Sequence, residues 1–352
     1  MESLYVIEPG AYLRREGAAI KICKGKTVIE NIPADGLKKL TLVGYVSLTG
    51  GVMDFLINKK VETVFLTPTG RFRARLGIDE HKHVALRRAQ YIRLSEKEYA
   101  AETSAVIVEG KIENMARFLL IRARLNKSDK NNVLRTAAAR IRSIKNLCGE
   151  DHSDISRIRG FEGAATRIYY SVFNDLIINQ NFRFNGRNRR PPRDPVNALL
   201  SFVYTLLTNE VLSAVKAAGL DPYMGSLHSM EYGRPSLACD LVEEYRSFLG
   251  DRMVLTILNK KMITPDDFVY RKKPPANFID ERDIKASRPV EMKPAIMKTF
   301  ISAYESMMAR KIHYPRKDIK TSYRMLLHHQ AACFANHLES DNDRYQPFIW
   351  ES

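Results

Sequence analysis

The chain has 352 residues, 45% of them hydrophobic, which is enough for about two packed domains. Its 56 Lys and Arg outweigh 40 Asp and Glu, and the net charge of +16 points to a polyanionic partner, nucleic acid first and an anionic membrane surface second. The four cysteines, Cys23, Cys148, Cys239 and Cys333, are too scattered to form a paired-cysteine metal site and read as reduced thiols of a cytoplasmic protein. The opening residues lack the basic start and long apolar core of a signal peptide, and no run reads as the roughly 20 apolar residues that span a bilayer.

Residues 1–76 have a β character. Short strand-like runs are predicted at 4–7, 12–15, 19–22, 38–43, 61–66 and 71–74, separated by Pro9-Gly10, Glu16-Gly17, Lys24-Gly25 and Thr69-Gly70. A helix at 51–58 interrupts them, and a small sandwich-like sheet domain is the simplest reading. Lys24-Gly25-Lys26-Thr27 invites comparison with a phosphate loop, but the glycine such a loop needs five residues before Gly25 is Ile20, so a hairpin turn is predicted.

The period turns helical near Lys82 and stays so. Helices are predicted at 84–94, 97–125, 131–148, 161–179, 195–218, 235–258, 265–269, 294–309 and 319–338. Pro195 and Pro235 open two of them, and Asp194 is an ordinary N-cap. The fold class is therefore α+β, with a β-sandwich-like domain at 1–80, a linker or helix at 81–100 and a larger all-helical domain at 101–352.

Two basic loops break the helical run. Residues 179–195 carry Arg183, Arg187, Arg189, Arg190 and Arg193 among Phe182, Phe184 and several prolines, and residues 270–278 carry Arg271, Lys272 and Lys273. Basic side chains interleaved with aromatics suit phosphate contacts and base stacking; solvated charge on irregular loops is the bland alternative.

Carboxylates single out two places. In the helix predicted from 161, Ala165, Ile168, Tyr169, Val172 and Phe173 form an apolar stripe, and Glu162 lies inside it. A carboxylate on a buried face demands a cation, hydrogen bonds or a metal, and capping or pairing with Arg159 or Arg167 would also answer. In residues 219–246, His228 precedes a Gly233-Arg234-Pro235 turn and a helix whose apolar arc opposes a cluster of Asp240, Glu243 and Ser247. That turn reverses the chain, so an imidazole and two carboxylates can converge on one divalent cation, although helix N-termini favour acids in any case. Together with Glu162 the set suits Mn²⁺ or Mg²⁺ acting on a phosphodiester. His81 and His83 read as an exposed interdomain segment, His328 and His329 point different ways, and no Ser or Cys has a nucleophile's surroundings.

The runs TLVGYVSLTGGVMDFLINKKVETVFLTPTGR, GFEGAATRIYY, RNRRPPRDPVNALLSFVYTLL and GLDPYMGSLHSMEYGRPSLACDLVEEYR are similar, in order and spacing over nearly the whole chain, to the CRISPR-associated integrases. These are the catalytic subunits that insert new spacers into a CRISPR array. The resemblance implies metal ligands at Glu162, His228 and Glu243 with Asp240 beside them; some members carry Asp where this chain has Glu243. It also implies a homodimer, a small ferredoxin-like companion subunit, and double-stranded DNA, both incoming spacer and array, as partner. The implied reaction is attack of a DNA 3′-OH on a phosphodiester; with water instead it is endonuclease activity. The alternatives are a metal-dependent nuclease for repair or branched DNA, separable by its products, and a non-catalytic DNA-binding scaffold, against which the buried-face position of Glu162 argues.

Overall fold

The computed structural model describes residues 2–68, 70–77, 83–125, 131–151, 154–188, 191–270, 290–340 and 343–351. The chain divides into two compact units, each assembled from separate stretches. The first takes 1–80, 189–205 and 265–303; the second takes 81–188, 206–264 and 304–352.

The first unit holds two four-stranded sheets. One is built from β1 (Ser3–Val6), β5 (Lys39–Val43), β7 (Glu62–Leu66) and β8 (Phe72–Leu76) in the order β1-β5-β7-β8, parallel except for the last pair. The other orders β4 (Thr27–Pro33), β3 (Ala19–Lys24), β2 (Tyr12–Glu16) and β6 (Ser47–Leu48), the first three pairing antiparallel. Alternation sets which side chains go inward: Leu4 and Val6 of β1 and Ile20 and Ile22 of β3 enter one shared core. Strand β5 is buried along its whole length, as a central parallel strand is. Helix α1 (Gly50–Asn58) closes this core with Val52, Phe55 and Leu56. Gly70, at φ +80°, leaves room for Phe202, whose ring would lie 1.9 Å from any Cβ there. Residues 265–269, expected to be helical, form instead a turn and a strand, β9 (Phe268–Tyr270), paired antiparallel with β10 (Val290–Met292).

The second unit is helical around α3 (Lys97–Leu125), most of whose side chains from Ala100 to Ala123 are buried. Against it pack α2 (Val84–Ser95), α4 (Asn131–Glu150) and α5 (Ile155–Ser171). Helix α6 (Pro195–Ala217) is long and apolar enough to cross a membrane, with a mean hydropathy of 1.5, contrary to the expectation from sequence, and 78% of that window is buried. The single helix expected at 235–258 is four pieces. Helix α7 (Ser236–Val242) tightens to a 3₁₀ turn at Glu243–Tyr245, widens to a π turn at Arg246–Asp251 and resumes as α8 (Arg252–Asn259). Helix α9 (Pro294–Ala309) is as expected. The start of the helix expected at 319–338 is a hairpin, β11 (Lys311–Tyr314) with β12 (Ile319–Ser322), before α10 (Tyr323–Glu339).

A strap formed by residues 345–350 crosses α3. Asn114 donates to the carbonyls of Glu244 (2.9 Å) and Phe348 (2.8 Å) and accepts from Trp350 N (2.8 Å). Glu244 accepts from the Tyr345 hydroxyl (2.6 Å) and Phe348 N (3.1 Å), while burial pushes its carboxyl up to about 7. Pro347 lies directly over Gly110.

Substituting Ala for a mid-helix glycine ordinarily stabilises by about 1 kcal/mol. At Gly110 the new Cβ would be 2.3 Å from Pro347 Cβ, so Gly110→Ala is expected to lower stability by about 1–3 kcal/mol in a denaturant melt. Emission from Trp350, the chain's single tryptophan, should shift to longer wavelength as the strap lifts. A rise in stability would show that the strap yields without cost.

Candidate active site

The site lies wholly within the helical unit and takes one charged side chain from each of three neighbouring elements. Lys111 of α3 directs its ammonium to Glu162 of α5 and to Glu243 at the start of the 3₁₀ turn, reaching Glu243 Oε2 at 2.7 Å. Thr166, one turn beyond Glu162, donates to Glu162 Oε1 at 3.0 Å. Arg246 meets the other oxygen of Glu243 at 3.0 Å. Glu162 therefore pairs with neither Arg159 nor Arg167, the partners considered from sequence; Arg159 donates instead to the carbonyl of Leu227 at 2.6 Å.

Lys111 and Glu243 are both buried, with side chains 7% and 4% exposed, so desolvation opposes both charges. For Glu243 burial alone would raise the carboxyl's pKa; Arg246, Lys111 and His228 overcome it and hold the group at about 2. For Lys111 burial is likewise outweighed, by Glu243 and Glu162, and its pKa is raised. At neutral pH the two carboxylates are gathered around one cation in a medium of low polarity.

Asp240 does a different job. It is fully buried, and the loop at 225–228 wraps its carboxylate: Ser226 N (2.8 Å) and Leu227 N (3.0 Å) donate to Oδ2, and His228 N (2.9 Å) to Oδ1. Oδ1 also bonds His228 Nδ1 at 2.7 Å. This fixes the imidazole and leaves Nε2 as its outward nitrogen. Gly225 is required here, because a Cβ would lie 2.5 Å from Asp240 Oδ2. The loop is anchored further back by Gln90 of α2, which donates to the carbonyls of Asp221 and Met224 at 2.8 Å each and accepts from Asp221 N at 2.8 Å.

The structure thus places Glu162 and Glu243 on one cation and His228 on Asp240, with the charge of His228 acting on Glu243. Among the described residues no three His, Cys, Asp or Glu are grouped closely enough to hold a metal ion, because the Lys111 ammonium stands between the two glutamates. Yet the donors suit a hard or borderline divalent ion. Two carboxylates already converge on one positive charge, and an imidazole beside them has its second nitrogen tied down. Glu243 Oε2 faces Lys111 without a well-aligned hydrogen bond and so retains acceptor capacity.

Sequence reasoning missed Lys111, Thr166 and Arg246. A signal for Lys111 exists: with Val108, Ile112 and Met115 it lies on a buried stripe of α3, as Glu162 does on its helix. Asp240, Glu243 and Ser247, expected on a polar face opposite the apolar arc, are all buried, since this segment is packed on every side. Of the basic-loop residues, Arg183 and Arg193 are exposed and Arg187 is half-buried, bonding the Asn188 carbonyl at 2.6 Å. Phe182 and Phe184 are 4% exposed; Phe184 packs against Tyr170 and Phe173, so these rings are not free to stack on bases. Arg189, Arg190, Arg271, Lys272 and Lys273, with His81, fall outside the described residues. His83 caps α2 at φ 64°, and His329 stacks on Tyr314.

Residues 4–305 match the family model described as CRISPR associated protein Cas1. A CRISPR-associated endonuclease Cas1 of Chlorobaculum tepidum is 36% identical over 99% of this chain and 98% of its own length. One from Thermus thermophilus is 35% identical over 98% and 96%. Among solved structures, a CAS1 protein from Thermotoga maritima is similar at TM-score 0.78 and 25% identity, each chain covered in full. A casposase bound to integration product shares the fold at TM-score 0.81 and 20% identity, covering 100% of this chain and 95% of its own.

A carboxyl with a depressed folded pKa contributes stability that is full above its unfolded value of 4.5 and is lost as pH falls toward about 2. Lys111→Met strands buried Glu243 beside Arg246 alone and is expected to cost about 3–5 kcal/mol at pH 7. The deficit should narrow as pH drops from 4.5, when the parent loses the same interaction. Denaturant melts at pH 7 and pH 3 measure both; an equal deficit at the two values would mean that the cost is one of packing rather than charge.

Proposed function

The chain belongs to the Cas1 family, and on that premise we propose that it is a metal-dependent DNA endonuclease and integrase that joins spacer DNA into a CRISPR array. The observation that carries this reading is the convergence of Glu162 and Glu243 on one buried cation, next to an imidazole fixed by Asp240. Those three ligands, Glu162, His228 and Glu243, would hold Mn²⁺ or Mg²⁺, hard or borderline ions that suit carboxylate oxygen and imidazole nitrogen. Such an ion, when bound, supplies positive charge to the scissile phosphate and to the leaving 3′ oxygen.

The chain's own residues supply the rest. Glu243, held ionised far below neutral pH, presents a carboxylate without needing to lose a proton first. Lys111 keeps Glu162 and Glu243 together despite their mutual repulsion and brings a positive charge to the floor of the site. Asp240 is a positioning residue: by accepting from Nδ1 it directs His228 Nε2 outward. The attacking hydroxyl comes from the DNA 3′ end, or from water in the nuclease reaction, so no Ser or Cys nucleophile is needed. The exposed Arg183 and Arg193 are suited to hold phosphates along the strands. In this reading the protein works in the cytoplasm as a homodimer with a small ferredoxin-like companion subunit; one structural neighbour is a Cas6-RT-Cas1–Cas2 complex.

A short duplex with free 3′-OH ends and a supercoiled plasmid bearing an array, incubated with Mn²⁺ or Mg²⁺, test the reading. The parent should yield joined strands, and Glu162→Ala and His228→Ala should yield none. Asp240→Asn, which offers an NH₂ group where acceptors are needed, should retain roughly 1–10% of the activity. Cleavage by the parent without joined products would favour the nuclease alternative, and joining by the alanine variants would remove these residues from the site.

A further inference from the structure

Helices α3 and α5 run in the same direction, since Lys111 meets Glu162 and, about two turns on in each, Phe118 meets Tyr169 with ring centroids 6.5 Å apart. The segment from Glu243 to Asp251 follows them, because the Tyr169 hydroxyl donates to Asp251 Oδ2 at 2.8 Å. Beyond the acidic layer, roughly 10 Å along the bundle at 1.5 Å per residue, lies an aromatic layer of Phe118, Tyr169, Phe248 and Trp350. Two arginines rest on it. The Arg122 guanidinium lies 5.1 Å from the Phe118 centroid, and that of Arg252 lies 5.0 Å from Trp350 and 5.6 Å from Tyr323. Phe118 and Trp350 are themselves in contact at 6.3 Å, so the two cations share one patch.

Among the described residues neither arginine has a carboxylate partner. Arg252 makes one hydrogen bond, to the Tyr323 hydroxyl at 3.3 Å, and Arg122 makes none. The nearby acid, Asp251, is taken by Tyr169. Burial, with the charge of Arg252 added, draws the Arg122 guanidinium below its ordinary value. Two like charges held together, half-buried and with most of their donors unused, are what an oxyanion site looks like before its anion arrives. The aromatic faces fix the guanidinium planes and leave their edges free.

Resting on the catalytic reading above, we propose that Arg122 and Arg252 form a phosphate-binding subsite for the DNA strand whose neighbouring phosphodiester occupies the Glu162 and Glu243 layer. Lys111, Phe118 and Arg122 share one face of α3, so a strand laid along that face meets the acidic layer and the arginines in turn. The interval corresponds to about three steps of 3.4 Å along a DNA strand. The arginines would hold the strand in register while the acidic layer acts on it.

Trp350 reports on this subsite directly, being the only tryptophan in the chain and stacked under Arg252. The full chain in EDTA is titrated with a 3′-hydroxyl single-stranded oligonucleotide, and separately with pyrophosphate, at several salt concentrations. Trp350 emission should change saturably with the oligonucleotide. Arg122→Gln and Arg252→Gln should each lower the slope of log K against log salt by about 0.7, whereas Arg122→Lys should keep the slope. Unchanged slopes in both glutamine variants would overturn the subsite, as would a response to pyrophosphate with none to the strand. Should the glutamine variants fail to fold, the parent decides alone: no change in Trp350 emission on saturation with the oligonucleotide overturns the proposal. Binding in EDTA does not use Glu162 or His228, so failure here leaves the catalytic reading standing, and failure of the joining assay leaves this measurement intact.

Discussion

The helical unit is organised around a cation that cannot reach bulk water. Lys111 is carried by the most buried helix of the unit, and desolvation of its ammonium is offset only if two carboxylates from other elements come to it. Those carboxylates have the same need, because Glu243 is as deeply buried as the lysine. Three charges of mixed sign, each costly alone, therefore fix the register of α3, α5 and the 243–251 segment together. An apolar seam would allow these helices to slide by a turn; this one would leave a bare charge in the core.

The same logic separates the two acids of the 240s. Asp240 is satisfied entirely within its own neighbourhood by three backbone amides and His228 Nδ1, so it needs no cation and organises a loop instead. Glu243, one turn later, has no backbone donors and relies on Lys111 and Arg246. One carboxylate builds the histidine's support and the other stays available to an incoming cation, a division of labour that follows from which donors each can reach.

Much of this was legible in the chain itself. Glu162 stood out because a carboxylate broke an apolar stripe, and the Gly233-Arg234-Pro235 turn placed His228 near the acids. Lys111 broke a stripe in the same way but escaped notice, since α3 is polar and apolar by turns over its whole length and Glu113 and Asn114 beside it blur the period. The tightening and widening of the helix after Val242 left no trace in hydrophobic spacing, because that segment is buried on all sides and no face distinguishes itself. The β11–β12 hairpin was hidden by a helical pattern that begins only at Tyr323, and the burial of Phe182 and Phe184 depends on partners contributed by the preceding helix and turn. In each case a long-range contact overrode a local pattern.

The C-terminal strap links stability to the site through adjacent residues. Gly110 lies under Pro347 and its neighbour Lys111 reaches the glutamates; Glu244 holds Tyr345 and Phe348 while its neighbour Glu243 faces Lys111. Successive residues of a helix point about 100° apart, so each pair divides its attention between strap and site. The 3₁₀ turn at Glu243–Tyr245 and the π turn after it are what allow two consecutive glutamates to be buried facing different partners. Residues 345–350 thus brace two of the three walls that carry the charges, and the placement of Glu243 depends on a segment that never touches it.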